Sequence, residues 1–428
     1  MAVLASALRE RGAEVHFACA EAFEDLAVRA GARFVPLTVT RNANTGVAET
    51  TRQESAEAAR LAEFLEATRF GAIPTLTIQA RHRRADMLAD PDTVFESLRA
   101  LDERLRPDWY VVDQLSYAVT LALHCLRLRY ASFCPGHPTY IPAGPGDWFG
   151  VPYDWPAALR PDPRQLAALK AVARSNDRVF TALFEAFIRD RAPHAPSPGR
   201  AFALTSPHAV LYSYPQLPWL PVPPKGPERV YAGHMVSPTQ SLDGEWAGQL
   251  RRLRGTADRV VLIALGTFLS ARDDVLRAVV TAVSGGAGRT AVIVAAGGRT
   301  AAFADLAGDR IVVAPSVPQQ ALLPHVDAMV HHGGANSFTE CIQAGVPALI
   351  LPFSSDQFAV ARDAERAGVG LARDPNALTH ADTLAALEIL CEKVGPSMNR
   401  WVGGPGERGP DYAAVRLMAA MDRSGPAR

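Results

Sequence analysis

The chain has 428 residues, with 44 Lys and Arg balanced by 44 Asp and Glu, and it is 48% hydrophobic and 21% charged. That length exceeds one typical core, and the charge balance argues against a nucleic-acid or anionic-membrane surface. No apolar run reaches the length of a membrane span, and Cys19, Cys125, Cys134, Cys341 and Cys391 lack metal-type spacing, so a cytoplasmic protein with reduced thiols is expected.

Met1, Leu4, Ala5 and Leu8 fall at helical spacing in MAVLASALRERG, and Gly12 is a good stop. AEVHFACA then reads as a short buried strand. The chain therefore opens on helix then strand, whereas a doubly wound domain opens on a strand. Residues 50–105 read as mostly helical, rich in Ala, Glu and Arg. DWYVVDQ, Asp108 to Gln114, reads as a central parallel strand with Asp113 at its C-terminal end, where such folds place chemistry. SYAVTLALHCLRL reads as the following helix. CPGHPTYIPAGPGDWFGVPYDWP, Cys134 to Pro156, is rich in Pro, Gly and aromatic residues. Such a loop either lines a binding site or lids the core.

The strand HAVLYSY, His208 to Tyr214, precedes PQLPWLPVPPKGPE, Pro215 to Glu228, whose six prolines make a stiff connector. The domain boundary is placed there, giving an acceptor-side domain over 1–222 and a second domain over 223–410. The second half alternates strands (RVVLIALG, TAVIVAA, RIVVAP, DAMVHH, PALILP) with helical stretches, the pattern of a parallel sheet covered on both faces. A last helix, about Asp411 to Met421, lies in a 411–428 tail. The predicted fold class is α/β.

Three strand-end loops of the second half carry chemistry. Gly266-Thr267 combines close backbone approach with a hydroxyl donor, and such pairs are also common in ordinary turns. In PSVPQQALLP, Pro318 fixes the loop and Gln319 presents an amide able to read a base edge; a plain first helical turn explains it equally well. VHHGGANSFTE, Val330 to Glu340, bends after a strand at Gly333-Gly334 and opens a helix. Free N–H groups there, with Asn336 and Ser337, make a phosphate site to which His332 can donate. Alternatively, His332 is capped by backbone. Glu340, one turn in, is placed to hold paired ribose hydroxyls. Asp356 and Gln357 follow the next strand and suit a polyol. Phosphate, ribose and polyol contacts in that order describe a nucleotide sugar.

VPQ (Val317 to Gln319), HHGGANSFTE (His331 to Glu340), AGVPALILP (Ala344 to Pro352) and DQ (Asp356-Gln357) resemble the donor signature of the UDP-glycosyltransferase superfamily. The likeness is nearest to its bacterial macrolide and natural-product branch. That resemblance implies the GT-B fold, two Rossmann-like domains facing a cleft. It implies that Gly266 and Thr267 flank a diphosphate and that Val317 and Gln319 hold the base. His332, Gly334, Asn336 and Ser337 would bind phosphates, Glu340 the ribose, and Asp356 and Gln357 the sugar. It implies inverting transfer from a UDP- or dTDP-sugar to a hydroxyl of a lipophilic acceptor, with no essential metal or other cofactor. Trp148, Phe149, Tyr153 and Trp155 would line the acceptor side. The tail helix would return to the first domain, and a homodimer is compatible with the family. Ser316 stands where many relatives carry a base-stacking tryptophan, and Val360 where many carry asparagine.

The opening departs most from the family. Relatives begin with a strand and a loop bearing the catalytic histidine; this chain begins within the helix that follows. Asp113 matches the acid that orients that base. Of the substitutes, His16 lies in a strand and His124 in a helix, whereas His137 lies in the aromatic loop. The expectation is that Met1 is an internal methionine, the first strand lying upstream; the alternative is a nucleotide-sugar-binding protein without catalysis. A sugar-nucleotide epimerase on the same fold ranks last, because the Asp-Gln pair is foreign to it.

Overall fold

The computed structural model describes residues 1–37, 55–86, 88–223, 225–236, 241–266, 272–286, 289–401 and 408–423. The chain runs α1 (Ala2–Glu10), β1 (His16–Cys19), α2 (Glu24–Arg29), β2 (Arg33–Pro36), α3 (Ser55–Arg69), α4 (Ala72–Asp86) and α5 (Pro91–Leu105). It continues with β3 (Tyr110–Asp113), α6 (Tyr117–Cys125), β4 (Tyr130–Cys134), α7 (Pro163–Arg191), β5 (Ala209–Tyr212) and β6 (Glu228–Tyr231). Then come α8 (Gly244–Thr256), β7 (Arg259–Ala264), α9 (Asp273–Gly285), β8 (Thr290–Ala295), β9 (Ile311–Ala314), α10 (Gln319–Leu322) and β10 (Ala328–His331). The last elements are α11 (Ala335–Ala344), β11 (Ala348–Ile350), α12 (Gln357–Ala367), β12 (Gly370–Ala372), α13 (His380–Ile389) and α14 (Gly409–Arg423).

Strands of the second half form one parallel sheet in the order β12-β11-β10-β7-β8-β9. Its central strands are apolar on both faces, as a sheet covered on both sides requires. Val260, Leu262 and Ala264 enter one core, and Val261, Ile263 and Leu265 the other. Two-residue periodicity therefore divides β7 between two helix layers.

The first half holds a parallel sheet ordered β3-β4-β5-β6 and a separate parallel pair, β1-β2. Among the described residues β1 pairs only with β2, and β3 only with β4. β6 pairs with β5, Val210 opposite Arg229 and Leu211 opposite Val230. The boundary expected at 222/223 therefore falls one strand too early. The proline connector ends inside the first domain, because a short strand after Pro227 still completes its sheet.

Helix α14 lies against α1, burying Ala413, Ala414, Leu417 and Ala420 with Leu4, Ala7 and Leu8 over Ala131, Phe133 and Leu211. Arg11 pairs with Asp411 at 2.7 Å across that seam. The other face of this sheet packs on α5, α6 and α7 through Phe95, Leu98, Leu121, Phe180 and Phe184. Among the described residues no helix is long and apolar enough to cross a membrane.

Candidate functional site

Strand order in the six-stranded sheet reverses between β7 and β10. Open α/β sheets bind ligands at such a switch point, beyond the C-terminal strand ends. Gly266 lies just beyond β7 and has φ +79°. His332 and Gly334 follow β10, and their loop meets Gly266 there. A Cβ on Gly266 would sit 2.7 Å from His332 Cε1, and one on Gly334 would sit 2.7 Å from its Nε2. The two glycines thus make the slot that holds the imidazole. Burial pulls His332 down to about 4, and burial together with the charge of His332 pulls His331 to about 3. Both rings are neutral at physiological pH. His331 Nδ1 accepts from Gly333 N–H at 3.0 Å, which fixes its turn, whereas His332 Nδ1 has no partner among the described residues.

Gly334 is the N-cap of helix α11 and has no side chain to supply a capping bond. Phe338 N–H donates to Gly334 O, leaving the N–H groups of Ala335, Asn336 and Ser337 outside the helical ladder. Those donors and the helix dipole favour an anion beside His332. One turn in, Glu340 is 9% exposed. Its carboxylate accepts from Gln319 Nε2 and, at 3.4 Å, from Gln320 Nε2. Burial pushes its carboxyl above the ordinary range, and the two amides hold it back. Gln319 Nε2 also donates to Ser337 Oγ at 3.3 Å, and Gln319 N–H donates to Val317 O at 2.8 Å. Val317, Gln319, Ser337 and Glu340, expected from separate loops, are thus brought to one edge. Thr267 lies outside the described residues.

The Asp-Gln pair is placed differently from expectation. Gln357 Oε1 accepts from the N–H groups of Phe353 and Ser354, at 2.8 and 3.0 Å, so its carbonyl shapes the turn after β11. Asp356 Oδ2 accepts from His137 N–H at 2.9 Å, joining the aromatic loop to the second domain. His137 is corrected as a substitute base. It is fully buried, its Nδ1 accepts from Thr139 N–H, and its Nε2 faces Asp363 at 2.9 Å. A base needs a free nitrogen beside the acceptor, and neither nitrogen is free. Asp113 stands at the end of β3, with Oδ1 accepting from Leu115 N–H at 2.9 Å. Burial raises its carboxyl above the ordinary range, partly offset by that bond.

The aromatic loop is also a wedge rather than an open wall. Trp148 is stacked between Arg174 and Arg200, at 5.5 and 4.8 Å from its ring. Phe149 is buried against Phe202, and Trp155 is buried with its ring 5.2 Å from that of Phe358 on α12. Tyr153 donates its hydroxyl to Asp363. Asp363 was not anticipated. It accepts from His137 Nε2, Tyr153 Oη, Tyr214 Oη and Trp219 Nε1, and these bonds and the His137 ring hold its carboxyl below the ordinary range despite burial. The available signal was a carboxylate at helical spacing from Ala359, Val360 and Ala367 on the buried face of α12.

Two doubly wound units facing one another, with an uncapped helix and a glycine-held histidine at the switch point, define the GT-B class of fold. Residues 290–395 match the family model described as Erythromycin biosynthesis protein CIII-like, C-terminal domain. A 110-residue stretch is 36% identical to the uncharacterized UDP-glucosyltransferase YdhE of Bacillus subtilis (strain 168), covering 24% of this chain and 26% of that protein. The matched stretches span 26% or less of the length of the curated relatives. Over nearly the whole chain the fold matches the crystal structure of the glycotransferase of kitacinnamycin, with TM-score 0.67, 18% identity and coverage of 98% and 95% of the two chains. It also matches the glycosyltransferase VinC, solved in complex with dTDP, with TM-score 0.63, 21% identity and coverage of 99% and 96%.

Proposed function

We propose that this chain is an inverting glycosyltransferase that moves a sugar from a dTDP- or UDP-sugar to a hydroxyl of a lipophilic natural product. The observation that carries the reading is the uncapped N-terminus of α11, set beside neutral His332 with Glu340 one turn in. In this reading the diphosphate meets the N–H groups of Ala335, Asn336 and Ser337 and a hydrogen bond from His332. The leaving group gains negative charge as the glycosidic bond breaks, so fixed donors there stabilise the transition state more than the ground state. Glu340 accepts from the ribose hydroxyls, displacing the Gln319 amide toward the base. Val317 and Gln319 line the base. Asp113 orients the base that takes the acceptor proton, and the transfer runs without a tightly bound metal. The VinC structure, a relative in fold with dTDP bound, supports the choice of nucleotide.

Calorimetric titration with dTDP, UDP and GDP tests the donor site. The expected outcome is micromolar binding of dTDP or UDP, weakened about tenfold or more by Glu340→Ala. Absence of binding by all three nucleotides sinks the reading. The full engagement of His137 favours a second reading, nucleotide-sugar binding without transfer. A chain that binds dTDP yet turns over no dTDP-sugar in the presence of acceptor alcohols decides for it.

A further inference from the structure

Beneath the aromatic loop lies a half-buried cation for which the described residues supply no counter-ion. Arg83 projects from α4 and places its guanidinium carbon 4.3 Å from the ring centroid of Phe149. Tyr117, the first residue of α6, and Tyr140 flank the same ring at 6.2 and 5.3 Å. Gly150 has φ +78°, and a Cβ there would lie 2.6 Å from Arg83 Nη1, so the loop closes directly over the charge. Among the described residues no acceptor is hydrogen-bonded to this guanidinium. Two arginines elsewhere show how a carboxylate is usually supplied. Arg272 bonds to Asp274, Asn376 and Thr68, and Arg200 bonds to Asp177. Among the described residues, half-buried Arg83 is offset by the π-face of Phe149 and by its electrostatic interaction with the Tyr117 and Tyr140 phenols, while desolvation weakens its hold on its proton.

A second observation stands beside the first. Gln114 follows Asp113 at the end of β3 and is 2% exposed. Among the described residues neither atom of its amide has a hydrogen-bond partner, and the same holds for Tyr117 Oη and Thr120 Oγ1. Gln114 and Tyr117 lie near enough to act on one another electrostatically, yet outside hydrogen-bonding geometry. Buried polar groups are nearly always satisfied, so this concentration needs a ligand. The available donors are a guanidinium, an amide NH2 and a phenol, and the charge lacking is negative. Asp113 is the carboxylate facing the group, and its Oδ1 is already engaged by Leu115 N–H. The rings of Phe149, Tyr140 and Phe202 pack on one another beside the charge and make its surroundings apolar.

We propose that Arg83, Gln114 and Tyr117 form an acceptor-side subsite for an oxyanion, a carboxylate or phenolate carried on an aromatic or otherwise apolar skeleton. Calling its occupant the acceptor rests on the transferase reading; the subsite itself does not. Arg83 is then a specificity-determining residue, and acidic acceptors are selected over their neutral counterparts.

The probes are naphthoate, its neutral counterpart naphthylmethanol, and methyl naphthoate, titrated by fluorescence into the full chain. Naphthoate is expected to bind about tenfold or more tightly than either neutral probe, the size of one charge-assisted hydrogen bond. Arg83→Met should abolish the preference, and Arg83→Lys should keep part of it. Circular dichroism reports whether each variant folds. Should Arg83→Met not fold, Gln114→Leu supplies the second variant and should reduce the preference severalfold. Equal binding of the three probes to the unaltered chain overturns the subsite. Failure of all three to bind, or an undiminished preference in folded Arg83→Met, does so as well. Nucleotide titration run in parallel separates the two ideas: lost dTDP and UDP binding with intact naphthoate selectivity sinks the transferase reading alone.

Discussion

At the scale of single residues, the histidines at the end of β10 tie stability to pH. His331 is fully buried, and burial with the charge of His332 takes it to about 3; burial takes His332 and His234 to about 4. Unfolded, each titrates near the ordinary value of 6.5. Below that value the unfolded chain binds protons that the folded chain refuses, so folding stability falls as pH falls from 6.5 toward 4. Each fully buried histidine contributes a slope of up to about 1.4 kcal/mol per pH unit in that window. Glu340 and Asp113, raised by burial, act in the opposite sense just above the ordinary carboxylate range, so the single-variant difference is the clean measure. His331→Asn keeps an acceptor for Gly333 N–H and removes the titration. Urea unfolding between about pH 4.5 and 6.5 should show a shallower slope for the variant than for the unaltered chain. An identical slope in both proteins would show that His331 titrates normally in the fold.

At the scale of elements, β3 is paired along one edge among the described residues. Tyr110 N–H donates to Arg129 O and Gln114 N–H to Phe133 O, so the ladder to β4 takes alternate residues. The N–H groups of Val111 and Asp113 therefore face the opposite edge, where the described residues supply no strand. β5 lies between β4 and β6 and is paired on both sides. Hydrogen exchange should find the Val111 and Asp113 amides about a hundredfold or more faster than that of Leu211. Equal protection would mean that something covers the opposite edge. The helices and strands of the second half could be read in advance because their signals are local: apolar runs of six residues, Gly333-Gly334 at a bend, Pro318 before a helix. Asp113 at a strand end was readable for the same reason. β6 was not, because four residues after Pro227 carry little periodicity and only pairing with β5 reveals them. Arg83 was equally hidden, since a lone arginine on a helix reads as solvated until Phe149 is brought over it from sixty-odd residues away. The expected openness of the aromatic loop failed for a related reason. Composition shows that rings are present, and only packing shows that Trp155 is set against Phe358 and Phe149 against Phe202.

At the scale of the whole molecule, the two halves are joined through a few polar points around one continuous core. Tyr214, Leu217 and Leu220 from the first half pack with Leu253 and Phe338 from the second. Gln79 and Ser355 exchange a reciprocal pair of hydrogen bonds, 2.8 and 3.0 Å, across the cleft. Arg272 reaches Thr68 from the second half while bonding Asp274 and Asn376 on its own side. The most concentrated junction is Asp363, completely buried on α12 and accepting from four side chains of the loop after β4 and the stretch after β5. A carboxylate suits this place because its two oxygens can serve four donors at once, which no neutral side chain of that size can do. Removing it leaves His137, Tyr153, Tyr214 and Trp219 with buried donors facing one another across a small cavity. Asp363→Ala should therefore cost roughly 3–5 kcal/mol, as when one member of a buried charged network is lost. Because those donors belong to one half and the acceptor to the other, the loss should fall on the coupling between halves. Calorimetry should resolve the single unfolding transition into two, and the urea midpoint of the earlier transition should move down. Asp363→Asn, which keeps one acceptor oxygen and adds an amide NH2 among donors, should lie between. A single transition with a loss under about 1 kcal/mol in Asp363→Ala would show that the shared apolar core, and not this carboxylate, holds the cleft together.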